Sequence, residues 1–184
     1  MMYHRHIETN SGRIWIIHSS DNGFVQSNSE TRQNFESRVM KKFLGSTLGD
    51  VELDHLSNGA PFIVNRPDLN ISISHSENWF ALYLSTKGNV GVDIEIPSTK
   101  INQIQSHFLQ PSEILRLTLN PLELRQCWGI KEAVFKLFRG EIESMKEEIE
   151  IINLTGISGI ARSNGQEVFL KFLESEHYTL VYTC

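Results

Sequence analysis

Residues 89–98 read NVGVDIEIPS, an alternation of apolar and acidic side chains with hardly a break. Under the period of two that a strand imposes, Val90, Val92, Ile94 and Ile96 fall on one face, and Gly91, Asp93 and Glu95 on the other. The pattern predicts a half-buried strand whose two carboxylates share its open face. Solvation is a sufficient reason for acids on such a face. A chemical reason stands beside it: side chains at i and i+2 are close enough to reach one hard cation, and magnesium is often held by one or two carboxylates together with substrate phosphates.

Upstream of this strand, GRIWIIHSS (12–20) reads as a first strand and SETRQNFESRVMKKFLG (29–45) as a helix with a Ser/Glu start and a Gly stop. Strands follow around 50–55 and 61–64. LNISISHS (69–76) alternates into another, and NWFALYLS (78–85) is predicted to pair with it antiparallel across a short polar turn. Downstream of Pro97 the pattern turns helical, near 101–108, again after Pro111, and most strongly from Pro121 to Arg139. EEIEIINLTG, GISGIARS, QEVFLKFLES and YTLVYTC then return to β-branched and aromatic alternation broken by turn residues.

This order predicts an α+β fold of two similar α/β lobes related by pseudo-twofold symmetry, an N-terminal lobe over 1–86 and a C-terminal lobe over 87–184. A chain of 184 residues, 40% hydrophobic, can bury the core this requires. The formal net charge is -5 and no dense Lys/Arg run occurs, which argues against nucleic acid or an anionic membrane as partner. The opening segment MMYHRHIETNSG lacks a signal-peptide core, and no stretch approaches the roughly 20 apolar residues of a spanning helix, so a soluble, cytoplasmic protein is expected. Cys127 and Cys184 are too few and too far apart for a disulfide framework or a thiolate metal site, and fit a reducing compartment as packing residues.

Two further stretches carry chemistry. On a helical wheel, CWGIKEAVFKLFRG (127–140) gathers Cys127, Ile130, Ala133, Val134, Leu137 and Phe138 on one broad face and leaves Arg125, Glu132, Lys136 and Arg139 on the other. Glu132 and Lys136 form an i, i+4 pair in the favourable orientation, worth about 0.2–0.5 kcal/mol as plain surface decoration. ISISHSENW (71–79) places Ser74, His75 and Ser76 at a strand end. No adjacent acid completes a triad there and no Gly-x-Ser-x-Gly elbow occurs, so serine nucleophile chemistry is not indicated. Hydroxyls and an imidazole in that position suit phosphate oxygens.

Together, GVDIE (91–95), WGIKEAVFK (128–136) and ISISHS (71–76) resemble the signature set of the 4'-phosphopantetheinyl transferase superfamily, in the family's order. RQNFESR (32–38) is similar to the Arg-containing first helix of the two-lobed, surfactin-synthetase-activating type, NGAPFI (58–63) to its Gly-Lys-Pro segment, and HFLQPSE (107–113) to its Phe-Phe-Ser-x-x-Glu segment. The resemblance implies an enzyme that moves the 4'-phosphopantetheine arm of coenzyme A onto a serine of an apo acyl or peptidyl carrier protein of fatty-acid, polyketide or nonribosomal-peptide synthesis. Magnesium would assist and adenosine 3',5'-bisphosphate would leave. By motif, Asp93, Glu95 and Glu132 would ligate the metal, and Lys136 would contact phosphate and neutralise developing charge. Ser74 and His75 would hold coenzyme A phosphates, Arg32 and Arg38 would grip the adenosine end, and Glu132 or a metal-held water would be the base for the acceptor serine. Phosphoryl-type transfer asks for neutralisation and alignment more than covalent help, which such a set supplies.

Departures from the family pattern matter too. Ala60 stands where the family carries a lysine that meets a coenzyme A phosphate. Losing that contact costs about 1.5–3 kcal/mol unless another cation replaces it, Arg66 being one candidate. The chain is also shorter than the usual two-lobed type and longer than the single-lobed, trimeric one, so a trimmed two-lobed monomer is expected. Gly91 is expected to leave room for substrate beside Asp93. Lys41, Lys42, Arg116 and Arg125 are candidates for a basic patch facing an acidic carrier. Two other readings stay open: a paralogue that binds coenzyme A or carrier but transfers weakly, and a metal-dependent nucleotide hydrolase built on the same acids.

Overall fold

Two antiparallel sheets, each with a long helix laid on one face, account for most of the computed structural model, which describes residues 5–117 and 120–184. In chain order the elements are β1 (Arg5–Glu8), β2 (Arg13–His18), a single 3-10 turn, α1 (Arg32–Leu48), β3 (Leu53–His55), β4 (Pro61–Ile63), β5 (Asn70–Ser76), β6 (Trp79–Ser85) and β7 (Val92–Glu95). There follow α2 (Lys100–Phe108), α3 (Pro111–Arg116), α4 (Pro121–Leu137), α5 (Met145–Glu148), β8 (Glu150–Leu154), β9 (Ser158–Ser163), β10 (Gln166–Glu174) and β11 (Thr179–Thr183). The first sheet has the order β1-β2-β6-β5, the second β7-β11-β10-β9-β8, and β3 pairs with β4 as a separate ribbon.

Apolar periodicity decides which faces meet. Phe35, Val39, Met40, Phe43 and Leu44 of α1 pack on Trp15, Ile17, Ile71, Phe80 and Leu82 of the first sheet. Cys127, Ile130, Ala133 and Val134 of α4 pack on Ile151, Ala161, Leu170 and Val181 of the second. The opposite faces of the two sheets meet through Ile14, Ile16, Ala81 and Tyr83 on one side and Val92, Ile94 and Leu180 on the other. The layers therefore run helix, sheet, sheet, helix, a mixed arrangement of the kind the sequence predicts.

An unpaired sheet edge is a liability, and β5 and β7 are both edges. They are joined not by a backbone ladder but by three hydroxyls. Ser72, Ser74 and Ser76 accept the amides of Val92, Ile94 and Ile96 at 3.1, 3.2 and 3.3 Å. The alternation ISISHS thus sends its isoleucines beneath α1 and its serines to the neighbouring sheet.

Several expectations are corrected. The first helix starts at Arg32, capped by Thr31, and runs through Gly45 to Leu48, because an exposed helical glycine weakens a helix without ending it. Residues 145–148 are helical before β8 begins, where a strand was expected from 147. The charged edge strand β1 was not foreseen. The face of β7 carrying Asp93 is not open: α4 covers it, and Asp93 is only 3% exposed. Gly91 leaves room for this helix rather than for substrate, since a Cβ there would stand 1.8 Å from the Ala133 carbonyl oxygen. Among the described residues no helix is long and apolar enough to cross a membrane. Residues 1–4 of the opening segment lie outside the described residues.

Candidate active site

Close approach of α4 to β7 brings Lys136 onto Asp93. The Lys136 ammonium donates to Asp93 Oδ1 at 2.8 Å, to the Ser74 hydroxyl at 3.1 Å and to the Val92 carbonyl at 3.2 Å, which uses its three protons. Ser74 in turn donates to Asp93 Oδ1 at 2.8 Å while accepting the Ile94 amide. Glu132, one helical turn before Lys136, holds Oε2 3.7 Å from the same ammonium. Asp93 Oδ2 is buried with no hydrogen-bond partner.

Glu95 occupies the next outward position on β7 and is fixed from two sides. The Trp128 indole donates to Oε1 at 2.9 Å and the Ser76 hydroxyl to Oε2 at 3.1 Å. Burial and the neighbouring Asp93 charge nevertheless push its carboxyl up to about 7. Burial also raises Glu132, against the pull of Lys136. Burial disfavours the charged ammonium of Lys136, but the Asp93 and Glu132 charges outweigh it and the lysine ends above its ordinary value. The centre thus holds three acids and one firmly charged lysine.

The remaining expected residues extend this centre along α1. His75 Nδ1 lies 3.4 Å from Glu36 Oε1, which also takes the Arg32 Nε at 2.5 Å. Burial lowers the His75 pKa, with Glu36 partly offsetting it. A groove of about 850 Å³ begins at His75 and Glu36 and runs between α1 and the β3–β4 ribbon, past Gly59 and Pro61. Arg38 does not join the group. Its Nε and Nη2 donate to the two Glu30 carboxylate oxygens at 2.9 and 2.8 Å, and Nη2 also donates to the Val25 carbonyl.

Two contributors, Trp128 and Glu36, lie outside the residues assigned from sequence, and Ser76, expected only as a phosphate-facing hydroxyl, holds Glu95. Trp128 carried a signal, since an indole N–H inside a buried motif needs an acceptor. A fourth feature lies behind the site. Lys131 and Glu113 form a fully buried ion pair at 3.0 Å, with the lysine also donating to the Ile149 carbonyl and the glutamate accepting the amides of Gln110 and Ile151. It ties α3 and the start of β8 to the helix that carries Glu132 and Lys136.

Residues 89–183, from just before β7 to the end of β11, match the family model of the 4'-phosphopantetheinyl transferase superfamily. The chain belongs to this superfamily. A search among curated proteins gives no match. Members of the superfamily transfer phosphopantetheine from coenzyme A to carrier proteins and typically use a divalent metal. The matched segment contains Asp93, Glu95, Glu132 and Lys136, while Arg32, Arg38, Ser74 and His75 precede it.

The donor set fits a divalent cation. Asp93 Oδ2 is a buried acceptor without a donor, and Glu95, its carboxyl raised first by burial and then by the Asp93 charge, stands beside it on β7. Among the described residues no three Asp, Glu, His or Cys side chains are drawn together tightly enough to grip a metal as they stand. Lys136 bridges Asp93 and Glu132.

Proposed function

We propose that this superfamily member transfers the 4'-phosphopantetheine arm of coenzyme A to a serine of an apo acyl or peptidyl carrier protein, with Mg²⁺, releasing adenosine 3',5'-bisphosphate. The observation that carries the reading is the junction of Asp93 on β7 with Lys136 on α4, inside the segment that matches the family. Asp93, Glu95 and Glu132 would hold the magnesium, which when bound supplies positive charge against the diphosphate.

The chain's own groups have distinct tasks. Lys136 stays charged through neutral pH and stabilises charge that develops on phosphate oxygens. Glu132, its proton affinity raised by burial, accepts the proton of the acceptor serine. Ser74 fixes the Asp93 rotamer, and together with His75 it meets the coenzyme A phosphates. Arg32 and Arg38 hold the adenosine end once phosphate competes with their Glu36 and Glu30 partners, Arg32 through the Glu36 that lines the groove and Arg38 from outside it. Residues 1–86 and 87–184 act as two pseudo-symmetric lobes of a cytoplasmic monomer with one complete site. Of the basic residues considered for carrier docking, Lys41 and Lys42 are exposed on α1, whereas Arg116 is spent on the Ile151 and Ile152 carbonyls and Arg125 on Thr179.

The test is incubation with coenzyme A, Mg²⁺ and a panel of apo-carrier proteins, read by intact mass. The expected result is a carrier heavier by one phosphopantetheine arm. Ala60 favours a second reading, a weak paralogue, and its signature is coenzyme A binding with no carrier modified.

A further inference from the structure

The turn that carries Ala60 meets the chain just beyond α4. Arg139, three residues beyond Lys136, lies against the turn that carries Ala60. Its guanidinium donates to the Pro61 carbonyl at 3.2 Å, and its own carbonyl accepts the Asn58 side-chain amide at 2.7 Å. The backbone at Arg139 is left-handed, with φ 49, a region that residues with a Cβ rarely adopt and that recurs at functional positions. The contact below it is equally tight: a Cβ on Gly140 would come within 2.1 Å of Asn58 Nδ2. The 58–61 turn and the end of α4 are therefore clasped, with a guanidinium at the clasp.

Arg139 differs from Arg66, Arg32 and Arg38 in its charge balance. Arg66, the other candidate replacement, gives its Nε and Nη2 to the two Asp68 carboxylate oxygens at 2.9 and 2.8 Å. Arg32 faces Glu36 and Arg38 faces Glu30. Among the described residues Arg139 has no carboxylate partner. The groove that passes Gly59 and Pro61 carries Glu36, Asp50 and Glu52 against a single lysine, Lys41, so an anionic ligand laid along it requires a further cation, and Arg139 stands outside the lining, on the Pro61 carbonyl. Asp50 and Glu52 are held in place there by Asn65, which bonds the Asp50 carbonyl and the Glu52 amide.

We infer that Arg139 is a substrate-binding residue that grips a coenzyme A phosphate in place of the missing lysine at position 60. The inference rests on the transferase reading above for the identity of the ligand. A guanidinium presents two parallel donors to a phosphate, so one arginine just beyond α4 replaces one lysine from the ribbon side at no loss of charge. Both the diphosphate and the 3'-phosphate offer this chemistry.

Calorimetry of the full chain with coenzyme A and with 3'-dephospho-coenzyme A, in Mg²⁺, tests the assignment. Arg139→Gln is expected to weaken coenzyme A binding about tenfold or more, with Arg139→Lys falling between it and the native protein. Adding Ala60→Lys to Arg139→Gln restores coenzyme A binding to within about threefold of native, since the charge returns from the other wall. A loss confined to coenzyme A identifies the 3'-phosphate as the gripped group; an equal loss with both donors identifies the diphosphate. Asn58→Ala, which loosens the clasp but keeps the charge, leaves affinity within about threefold of native, because the contact removed is neutral. Unchanged binding in Arg139→Gln, or no recovery with Ala60→Lys, overturns the assignment. Native protein that binds coenzyme A yet modifies no carrier defeats the transferase reading alone, and native protein that binds neither donor defeats both.

Discussion

Ser74 and Asp93 lie in different sheets, 19 positions apart, yet the serine hydroxyl donates to Asp93 Oδ1 at 2.8 Å while accepting the amide next to it. One side chain thus closes the seam between the sheets and orients a carboxylate of the proposed centre. Ser72, two residues earlier, closes the same seam through Val92 without touching an acid. The pair separates the two tasks. Ser72→Ala and Ser74→Ala are each expected to lose about 1–2 kcal/mol in urea unfolding, the cost of stranding a buried amide. Only Ser74→Ala lowers the transfer rate, because only there does Asp93 lose its guide. Equal rates in the two variants would separate the seam from the chemistry.

Removal of the acids themselves gives a sharper contrast. Asp93→Ala and Glu132→Ala are each expected to reduce transfer by about a hundredfold or more, the scale of losing a preorganised electrostatic group. Circular dichroism of Glu132→Ala stays native, because the Glu132 side chain keeps 21% of its surface exposed and meets its ion-pair partner Lys136 at 3.7 Å. Asp93→Ala melts earlier as well, since Lys136 is left without its 2.8 Å partner. Near-native turnover in both variants would end the metal-ligand assignment.

How much of this was legible beforehand follows from which interactions are local. The paired strands β5 and β6 and the buried stripe of α4 follow from periodicity, because apolar spacing is a local property. Asp93, Glu132 and Lys136 were singled out by motif, and they meet here. Their burial was not legible, since nothing in VDIE announces that a helix from 40 residues downstream will cover its acidic face; that span is set by Asp93 and Ala133. Lys131 reads as one more helix-face charge until Glu113 is found opposite it at zero exposure. The strand Arg5–Glu8 has one apolar residue in four, and only pairing with β2 reveals it.

Metal affinity should depend on pH through Glu95. Its carboxyl sits at about 7, raised by burial and by Asp93, and must lose its proton to bind a cation. Magnesium or manganese affinity is therefore expected to climb from pH 6 to 8 and level off above. The sign for stability without metal is the reverse. A carboxyl whose folded pKa lies above its unfolded value of 4.5 stabilises the fold at low pH and withdraws that contribution as pH rises from 4.5 through about 7. Melting curves with and without Mg²⁺ across this window should diverge. Trp128→Phe, which removes a hydrogen bond that lowers the Glu95 pKa, moves the binding midpoint upward.

Breaking the buried Lys131–Glu113 pair should unfold much of the protein's margin. Lys131→Met leaves a carboxylate with zero exposure and no counter-charge, at a cost of about 3–5 kcal/mol. Glu113→Gln in the same chain removes the stranded charge and keeps an acceptor for the Ile151 amide, so the double variant is expected to be more stable than Lys131→Met alone. Chemical denaturation of the two singles and the double gives the coupling directly. Additive losses would mean that the pair acts as two independent packing residues.

Gly91 tests whether the helix or the substrate demands its missing side chain. A Cβ at this position would stand 1.8 Å from the Ala133 carbonyl and 3.2 Å from the Leu137 amide, backbone atoms of α4 that cannot rotate aside. Gly91→Ala must then push α4 off β7, at about 1–3 kcal/mol for overpacking, and carry Lys136 and Glu132 away from Asp93. Melting temperature and kcat are expected to fall together. Gly156→Ala, where the added atom meets nothing within 4 Å, is the neutral control. Were the space kept for substrate, the outcome would invert: an unaltered melt with a raised KM for coenzyme A. The contact distances favour the first outcome, because the obstruction is backbone, and the lysine that must reach Asp93 sits one residue before the blocked amide of Leu137.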